Sequence, residues 1–319
     1  MRAAAAVQGE SLRTIERLQS TLGEVLRGKP EVVRLALVAL LARGHLLIED
    51  VPGVGKTTLA AALARATGAR FARIQFTSDL LPSDVVGVSI LDPRTRRFEF
   101  RAGPLFANVV LADEINRATP KTQSALLEAM SEQRVTVDGV TRALPDPFFV
   151  VATQNPLEHH GTFPLPDSQL DRFMVRTRVG YPAPEEEREI LAEERHRRRE
   201  EAVEPVTRPE ELVEIQRAAE RVRVDTSLLD YIVSLARASR RLPGIAVGVS
   251  PRGSLALVRA AKALALIEGR DFVIPDDIQS LAVPVLAHRL VPAAADRFDT
   301  REEAEAAVWE LVRSVPVPR

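Results

Sequence analysis

Leu46-Leu47-Ile48-Glu49-Asp50-Val51-Pro52-Gly53-Val54-Gly55-Lys56-Thr57-Thr58 decides the fold. A short apolar run reads as a strand. It passes through a glycine-containing loop into Thr58-Leu59-Ala60-Ala61-Ala62-Leu63, which reads as a helix. Gly53 and Gly55 let backbone N–H groups turn inward on an anion. Lys56 can reach the β- and γ-phosphates of a nucleotide, and the Thr57 hydroxyl can hold Mg²⁺. The helix that follows presents its positive dipole end to the same phosphates. Positive charge here is carried mostly by arginine, with Lys29, Lys121 and Lys262 the other lysines, so Lys56 points to a need for a compact ammonium. The pattern G-x-x-x-x-G-K-[ST] asks for glycine where this chain has Asp50. Aspartate tolerates left-handed backbone better than most residues, so the loop is expected to form. The plainer reading is a glycine-rich strand–helix turn without a ligand.

Downstream, Asn108-Val109-Val110-Leu111-Ala112-Asp113-Glu114 reads as a buried parallel strand that delivers two carboxylates at its C-terminal edge, where ligands sit in doubly wound sheets. Asp113 is the candidate Mg²⁺ residue, acting through the ion's water shell. Glu114 is the candidate base for the water that attacks the γ-phosphate. Alone, Asp-Glu after a strand is also an ordinary helix start. A third strand, Pro147 to Thr153, ends in Gln154-Asn155-Pro156. An amide there can bond both the attacking water and the γ-phosphate, which makes Asn155 a candidate phosphate sensor. By itself Asn-Pro is a turn. Leu170-Asp171-Arg172-Phe173 reads as the end of a short helix leading into a last strand.

Composition sets limits. The 319 residues exceed one typical core and suggest two packed units. With no cysteine there is no disulfide framework, thiolate metal site or cysteine nucleophile. No stretch approaches the ~20 apolar residues of a membrane span, and the N-terminus lacks the apolar length of a signal peptide. A soluble cytoplasmic chain without membrane insertion is the expectation. A net charge of −1 disfavours nucleic-acid binding through a uniform basic field. The pair His159-His160 has no clear third ligand and is not read as a metal site.

Further out, residues 11 to about 45 read as two helices with a turn at Arg27-Gly28-Lys29-Pro30. Phe71 to Phe76 is a strand, and Ser83 to Gly87 looks like a turn. Val88 to Phe100 reads as a hairpin turning at Asp92-Pro93. Gln133 to Thr141 reads as a second hairpin around Asp138-Gly139. Two prolines at Tyr181-Pro182-Ala183-Pro184 mark a boundary. The charge run that follows, with pairs such as Glu193–Arg197, is best explained as a solvated helix. Everything after it is helical in pattern. Ser250-Pro251 is a good helix entry. Arg252 sits just inside it, where a cation is mildly unfavourable unless an anion is near.

The order of these motifs resembles the AAA+ ATPases: Walker A at Gly53–Thr57, Walker B at Asp113-Glu114, Ala152-Thr153-Gln154-Asn155-Pro156, and Leu170-Asp171-Arg172-Phe173. Ile115-Asn116-Arg117-Ala118 and Gln123 to Met130 narrow the resemblance to the MoxR family, over residues from about 18 to about 312. The resemblance implies an α/β fold, a three-layer αβα P-loop core on a parallel sheet followed by an all-α lid. The expected divisions are an N-terminal helical extension over 1–20, the core over 21–180, the lid over 181–312 and a tail over 313–319.

The nucleotide, by the same resemblance, is ATP with Mg²⁺, bound by Pro52, Gly53, Val54, Gly55, Lys56, Thr57 and Thr58, with Thr57 and Asp113 at the metal. Leu26, Arg27 and Gly28 are candidates for the adenine pocket. Arg172 looks like an arginine finger that reaches a neighbour's nucleotide; its alternative is a surface ion pair with Asp171 or Asp167. Arg252 looks like the lid arginine called sensor 2. The two hairpins become a helix-2 insert and a pre-sensor-1 hairpin facing the pore of a ring. There Arg94, Arg96 and Arg97 touch a substrate or are simply solvated. The implied activity is Mg²⁺-dependent ATP hydrolysis at subunit interfaces of a ring, expected to be a hexamer. It would remodel a client protein alongside a von Willebrand factor A domain partner. The alternatives are a nucleic-acid motor or a metal-chelatase motor subunit.

Overall fold

The computed structural model describes residues 2–156, 161–192, 203–293 and 300–318. The His159-His160 pair and the Glu193–Arg197 pair lie outside them. Among the described residues five strands form the central sheet: β1 (Leu46–Glu49), β2 (Phe71–Gln75), β5 (Val109–Asp113), β8 (Phe149–Gln154) and β9 (Val175–Thr177). Their spatial order is β2-β5-β8-β1-β9, and every pairing is parallel.

Continuous apolar strands require cover on both faces, and strand alternation divides their side chains between two cores. Leu46, Ile48, Val109, Leu111, Phe149 and Val151 point to one side. There they pack with α1 (Arg2–Val25), α2 (Pro30–Leu41) and α3 (Lys56–Ala66). Leu47, Val110, Ala112, Val150 and Ala152 point to the other side, against Val85 of α4 (Pro82–Val86) and Leu126 and Leu127 of α5 (Pro120–Glu132). The result is the three-layer α/β core expected from the sequence.

Two hairpins leave this core. The first pairs β3 (Gly87–Asp92) with β4 (Arg97–Ala102), and the second pairs β6 (Arg134–Val137) with β7 (Val140–Ala143). Gly87 (φ 98°) is obligatory, since a Cβ there would lie 2.3 Å from the Arg101 carbonyl oxygen. Asp138 and Gly139 both have positive φ, as a two-residue hairpin turn requires. The stretch read as a turn at Ser83–Gly87 is instead mostly helical: Pro82 opens α4 and Asp84 Oδ2 accepts the Leu81 N–H, a first-turn cap.

The second unit is helical. It contains α6 (Asp167–Leu170) at its approach and then α7 (Pro184–Ala192), α8 (Pro209–Glu220), α9 (Thr226–Ser239), α10 (Pro251–Ile267), α11 (Pro275–Leu286) and α12 (Thr300–Ser314). Leu212, Leu228, Leu257 and Ile278 from these helices join the core cluster on the α2 side of the sheet, so the lid packs on the core through apolar contact. A small antiparallel pair, β10 (Ile245–Val247) with β11 (Val291–Pro292), interrupts the all-helical pattern. Each of its strands is too short to show a period of two.

Candidate nucleotide site

Gly53 (φ 88°) and Gly55 (φ 95°) turn the chain from β1 into α3. Both occupy the left-handed region, and nothing lies within 4 Å of a Cβ built on Gly53, so backbone conformation rather than crowding calls for glycine there. Lys56 is buried at the first position of α3, and its Nζ donates to the Asp50 carbonyl at 2.7 Å. Burial lowers the Lys56 pKa, opposed by Asp113, Asp50 and Glu114.

Asp50 corrects one expectation. It is not among the residues of positive φ, so left-handed tolerance is not what admits it. Its carboxylate accepts three backbone N–H groups, from Val51 at 2.8 Å through Oδ1 and from Val179 at 2.8 Å and Gly180 at 2.6 Å through Oδ2. The residue standing in place of a loop glycine thus ties the loop to the chain leaving β9.

The loop opens on a cavity of about 440 Å³, within the range of small-molecule and nucleotide sites. Pro52 through Thr58 line it together with Asp113 and Glu114. Leu26, Arg27, Gly180, Pro182 and Glu186 complete its wall, with Leu26 against Gly55. Gly28 is not itself a wall residue; its missing Cβ leaves room for the Glu186 carboxylate, which a side chain would overlap.

Asp113 and Glu114 stand at the end of β5 with different partners. Asp113 Oδ1 accepts the Thr153 hydroxyl at 2.7 Å, and Oδ2 accepts Arg73 Nη2 at 2.6 Å. Glu114 has a left-handed backbone (φ 56°), uncommon for a residue with a Cβ, and its N–H donates to Thr153 Oγ1 at 2.9 Å. This twist turns the carboxylate out of strand alternation. Its Oε2 then accepts Gln75 Nε2 at 2.8 Å and Arg117 Nη1 at 3.0 Å.

Arg73, Gln75, Thr153 and Arg117 were not legible as site residues. The first three gain their positions from strand neighbours, with Gln75 opposite Asp113 and Ala112 opposite Ala152. Arg117 had a local signal, three residues after Glu114.

Asn155 follows β8, whose Gln154 lies opposite Glu49, so it stands at the same sheet edge without lining the cavity. Arg172 is also outside the lining. It donates to the Leu127 carbonyl at 2.8 Å and to the Ser131 hydroxyl, at the C-terminal half of α5. The alternative of an ion pair with Asp171 or Asp167 is not what these residues adopt: the Arg172 guanidinium is held on α5, and Asp171 Oδ1 pairs with Arg289 Nε at 2.8 Å. Arg252 is exposed on the first turn of α10, which Ser250 caps by accepting the Gly253 N–H at 3.1 Å. Its chain neighbour Gly253 packs against Arg289, whose Cδ would lie 2.8 Å from a Cβ there, and Arg252 is not among the residues lining the cavity.

The donor set suits a hard divalent ion. Thr57 and Asp113 offer a hydroxyl and a carboxylate on one cavity. Among the described residues no cluster of three or more His, Cys, Asp or Glu side chains could hold a metal alone. Such an ion would complete its shell with phosphate oxygens and water, the habit of Mg²⁺. No helix of the described residues is long and apolar enough to cross a membrane.

Comparison with known proteins agrees with this geometry. Residues 45–175 match the ATPase family associated with various cellular activities (AAA), and residues 237–309 match the AAA lid domain. The protein YeaC of Bacillus subtilis is 53% identical over 93% of this chain and 92% of its own length. Chaperone MoxR1 of Mycobacterium tuberculosis is 41% identical over 97% of this chain and 83% of its own. A crystal structure from Cytophaga hutchinsonii is 35% identical, covers 100% of this chain and 99% of that one, and superposes with a TM-score of 0.89. The phosphate loop, the paired carboxylates at the end of β5, the helical lid and these relatives lead to one assignment: the chain belongs to the MoxR family of AAA+ ATPases.

Proposed function

We propose that this ATPase hydrolyses MgATP at interfaces between subunits of a ring and uses the cycle to remodel a client protein. The observation that carries the reading is a division of parts. The loop Pro52–Thr58, Asp113 and Glu114 share one cavity, whereas Arg172 and Arg252 lie outside it, around the Arg289–Asp171 pair. A charged finger that cannot serve its own cavity is useful when a second copy supplies the nucleotide, and AAA+ proteins generally assemble as rings.

In this reading Lys56 and the loop N–H groups bind the phosphates, with the α3 N-terminus behind them. Thr57 and Asp113 would hold Mg²⁺, which would supply charge neutralisation at the phosphates. Glu114 takes a proton from water, once freed from Gln75 and Arg117. Asn155 reports the γ-phosphate from the tip of β8. Arg172 enters from the next subunit to offset charge developing in the transition state, a contribution of about 10³-fold or more for such fingers. Arg252 acts beside it on the neighbour's nucleotide, which its exposure and its closeness to Arg289 favour.

The name of the Mycobacterium tuberculosis relative supports a chaperone-like role. A hexamer, a protein client and a von Willebrand factor A domain partner complete the proposal. The hairpins β3–β4 and β6–β7, with Phe98 and Val140 exposed, are the surfaces offered to the client.

The test is ATP turnover per subunit over a hundredfold range of protein concentration with Mg²⁺. Specific activity should rise with concentration in step with assembly measured by mass in solution. Full activity in a species shown to be monomeric would reject interfacial hydrolysis.

A further inference from the structure

The carboxylate assigned to the metal already has a cation on it. Arg73 Nη2 lies 2.6 Å from Asp113 Oδ2, the oxygen left over once Thr153 has taken Oδ1. The pairing follows from the sheet: β2 and β5 run parallel with Gln75 opposite Asp113, and Arg73, two residues earlier, projects from the same face as Gln75. The same Nη2 donates to Gln75 Oε1 at 3.1 Å, so the guanidinium is seated by two acceptors. Arg73 also lines the cavity shared by Lys56 and Thr57.

The contact is built to be reversible. The Arg73 side chain is half exposed while the Asp113 side chain is largely buried, and β2 is an edge strand, which leaves the arginine stem room to swing outward. An ion pair with one exposed partner holds by a modest factor. A divalent ion arriving with nucleotide brings twice the charge and competes for the same oxygen. Without Arg73, Asp113 would keep only the more distant charge of Lys56 beside the neighbouring Glu114 carboxylate, and like charges at this range repel.

We propose that Arg73 is a placeholder for the divalent ion: it neutralises Asp113 in the metal-free protein and yields the carboxylate when the ion enters. The proposal rests on reading the cavity as a metal–nucleotide site. It makes Arg73 a positioning residue that sets how readily the site accepts metal.

The test uses the full chain saturated with ADP and titrated with Mn²⁺, free ion being followed by electron paramagnetic resonance. Arg73→Ala and Arg73→Met, the second of which keeps the apolar stem, should both bind Mn²⁺ about three- to tenfold more tightly than wild type. Their ADP affinity in EDTA should stay within about twofold of wild type. Raising salt should narrow the difference, since screening weakens the wild-type pair. Mn²⁺ affinity unchanged or weakened in both variants, with normal wild-type binding, would overturn the placeholder alone. Loss of ADP affinity in EDTA would overturn it too, by making Arg73 a phosphate ligand. A wild-type protein that binds neither ADP nor Mn²⁺ would overturn the nucleotide reading and the placeholder with it.

Discussion

Arg289 Nε lies 2.8 Å from Asp171 Oδ1, and this ion pair fastens the lid to the residue immediately before Arg172. Arg289 is buried and also donates to the Phe173 carbonyl at 2.7 Å, so one guanidinium grips the chain on both sides of the proposed finger. Burial pulls its pKa down to about 10, with Asp171 acting against the fall, so it remains a cation at neutral pH. Arg289→Met would leave the Asp171 carboxylate unpaired and the Phe173 carbonyl with only His288 Nε2, at 3.0 Å, beside it. Stability should fall by about 3 kcal/mol in urea unfolding at pH 7. An unchanged midpoint and slope would show that the pair contributes nothing net.

The Asp50 tie carries a second prediction. Asp50→Gly, which restores the usual loop residue, removes the acceptor for the Val179 and Gly180 N–H groups. Asp50→Asn can keep that acceptor by turning its amide oxygen to both N–H groups, which leaves its NH2 facing the Val51 N–H. In Asp50→Gly hydrogen exchange at residues 179 and 180 should accelerate by about tenfold or more, and in Asp50→Asn by less. Exchange at the wild-type rate would mean the tie does not hold the chain leaving β9.

That same residue marks where sequence reading stopped. The loop, the two carboxylates, both hairpins and the Ser250 cap were legible because each depends on residues close together in the chain. Asp50 was read for its own backbone preference, whereas its function depends on Val179 and Gly180, more than a hundred residues away. Arg73, Gln75 and Thr153 were silent for a related reason: only the order β2-β5-β8 makes them neighbours of Asp113 and Glu114. The pair β10–β11 escaped because its strands are too short to carry a pattern.

Acid sensitivity should come from buried histidine. His45 is buried, its Nδ1 accepts the Val150 N–H and its Nε2 faces the Met130 carbonyl at 3.1 Å, an arrangement that suits the neutral ring. Burial lowers its pKa to about 4. The unfolded chain therefore takes up a proton near pH 6.5 that the folded chain resists until about pH 4. The stability from this group is complete above pH 6.5 and is lost as pH falls through that window, by about 3 kcal/mol. His288, buried and pressed by Arg289 and Arg176, adds in the same direction. Urea unfolding between pH 7 and 4.5 should show the decline, and His45→Gln should flatten part of it. A slope identical to wild type would exclude His45 as its source.

Lys56 and Glu114 should separate binding from chemistry. Lys56→Ala removes the buried ammonium at the start of α3 and should abolish detectable ATP binding. Glu114→Gln keeps the shape of the side chain but not its basicity. It should bind ATP normally and lose turnover by about 10²- to 10⁴-fold. Near-normal turnover in Glu114→Gln would move the base elsewhere, and unchanged ATP affinity in Lys56→Ala would remove the loop from the account.

The central claim is that one subunit's cavity is completed by its neighbour's Arg172. Its most direct test mixes two inactive variants, Glu114→Gln and Arg172→Ala, and measures ATP turnover at a concentration where both assemble. An intact cavity on an Arg172→Ala subunit can then meet an intact Arg172 on a Glu114→Gln subunit. With equal random mixing, roughly a quarter of the interfaces of a closed ring are competent. The account predicts that turnover returns in the mixture to roughly that share of wild type. Mixed rings that form but stay as inactive as either parent would contradict it.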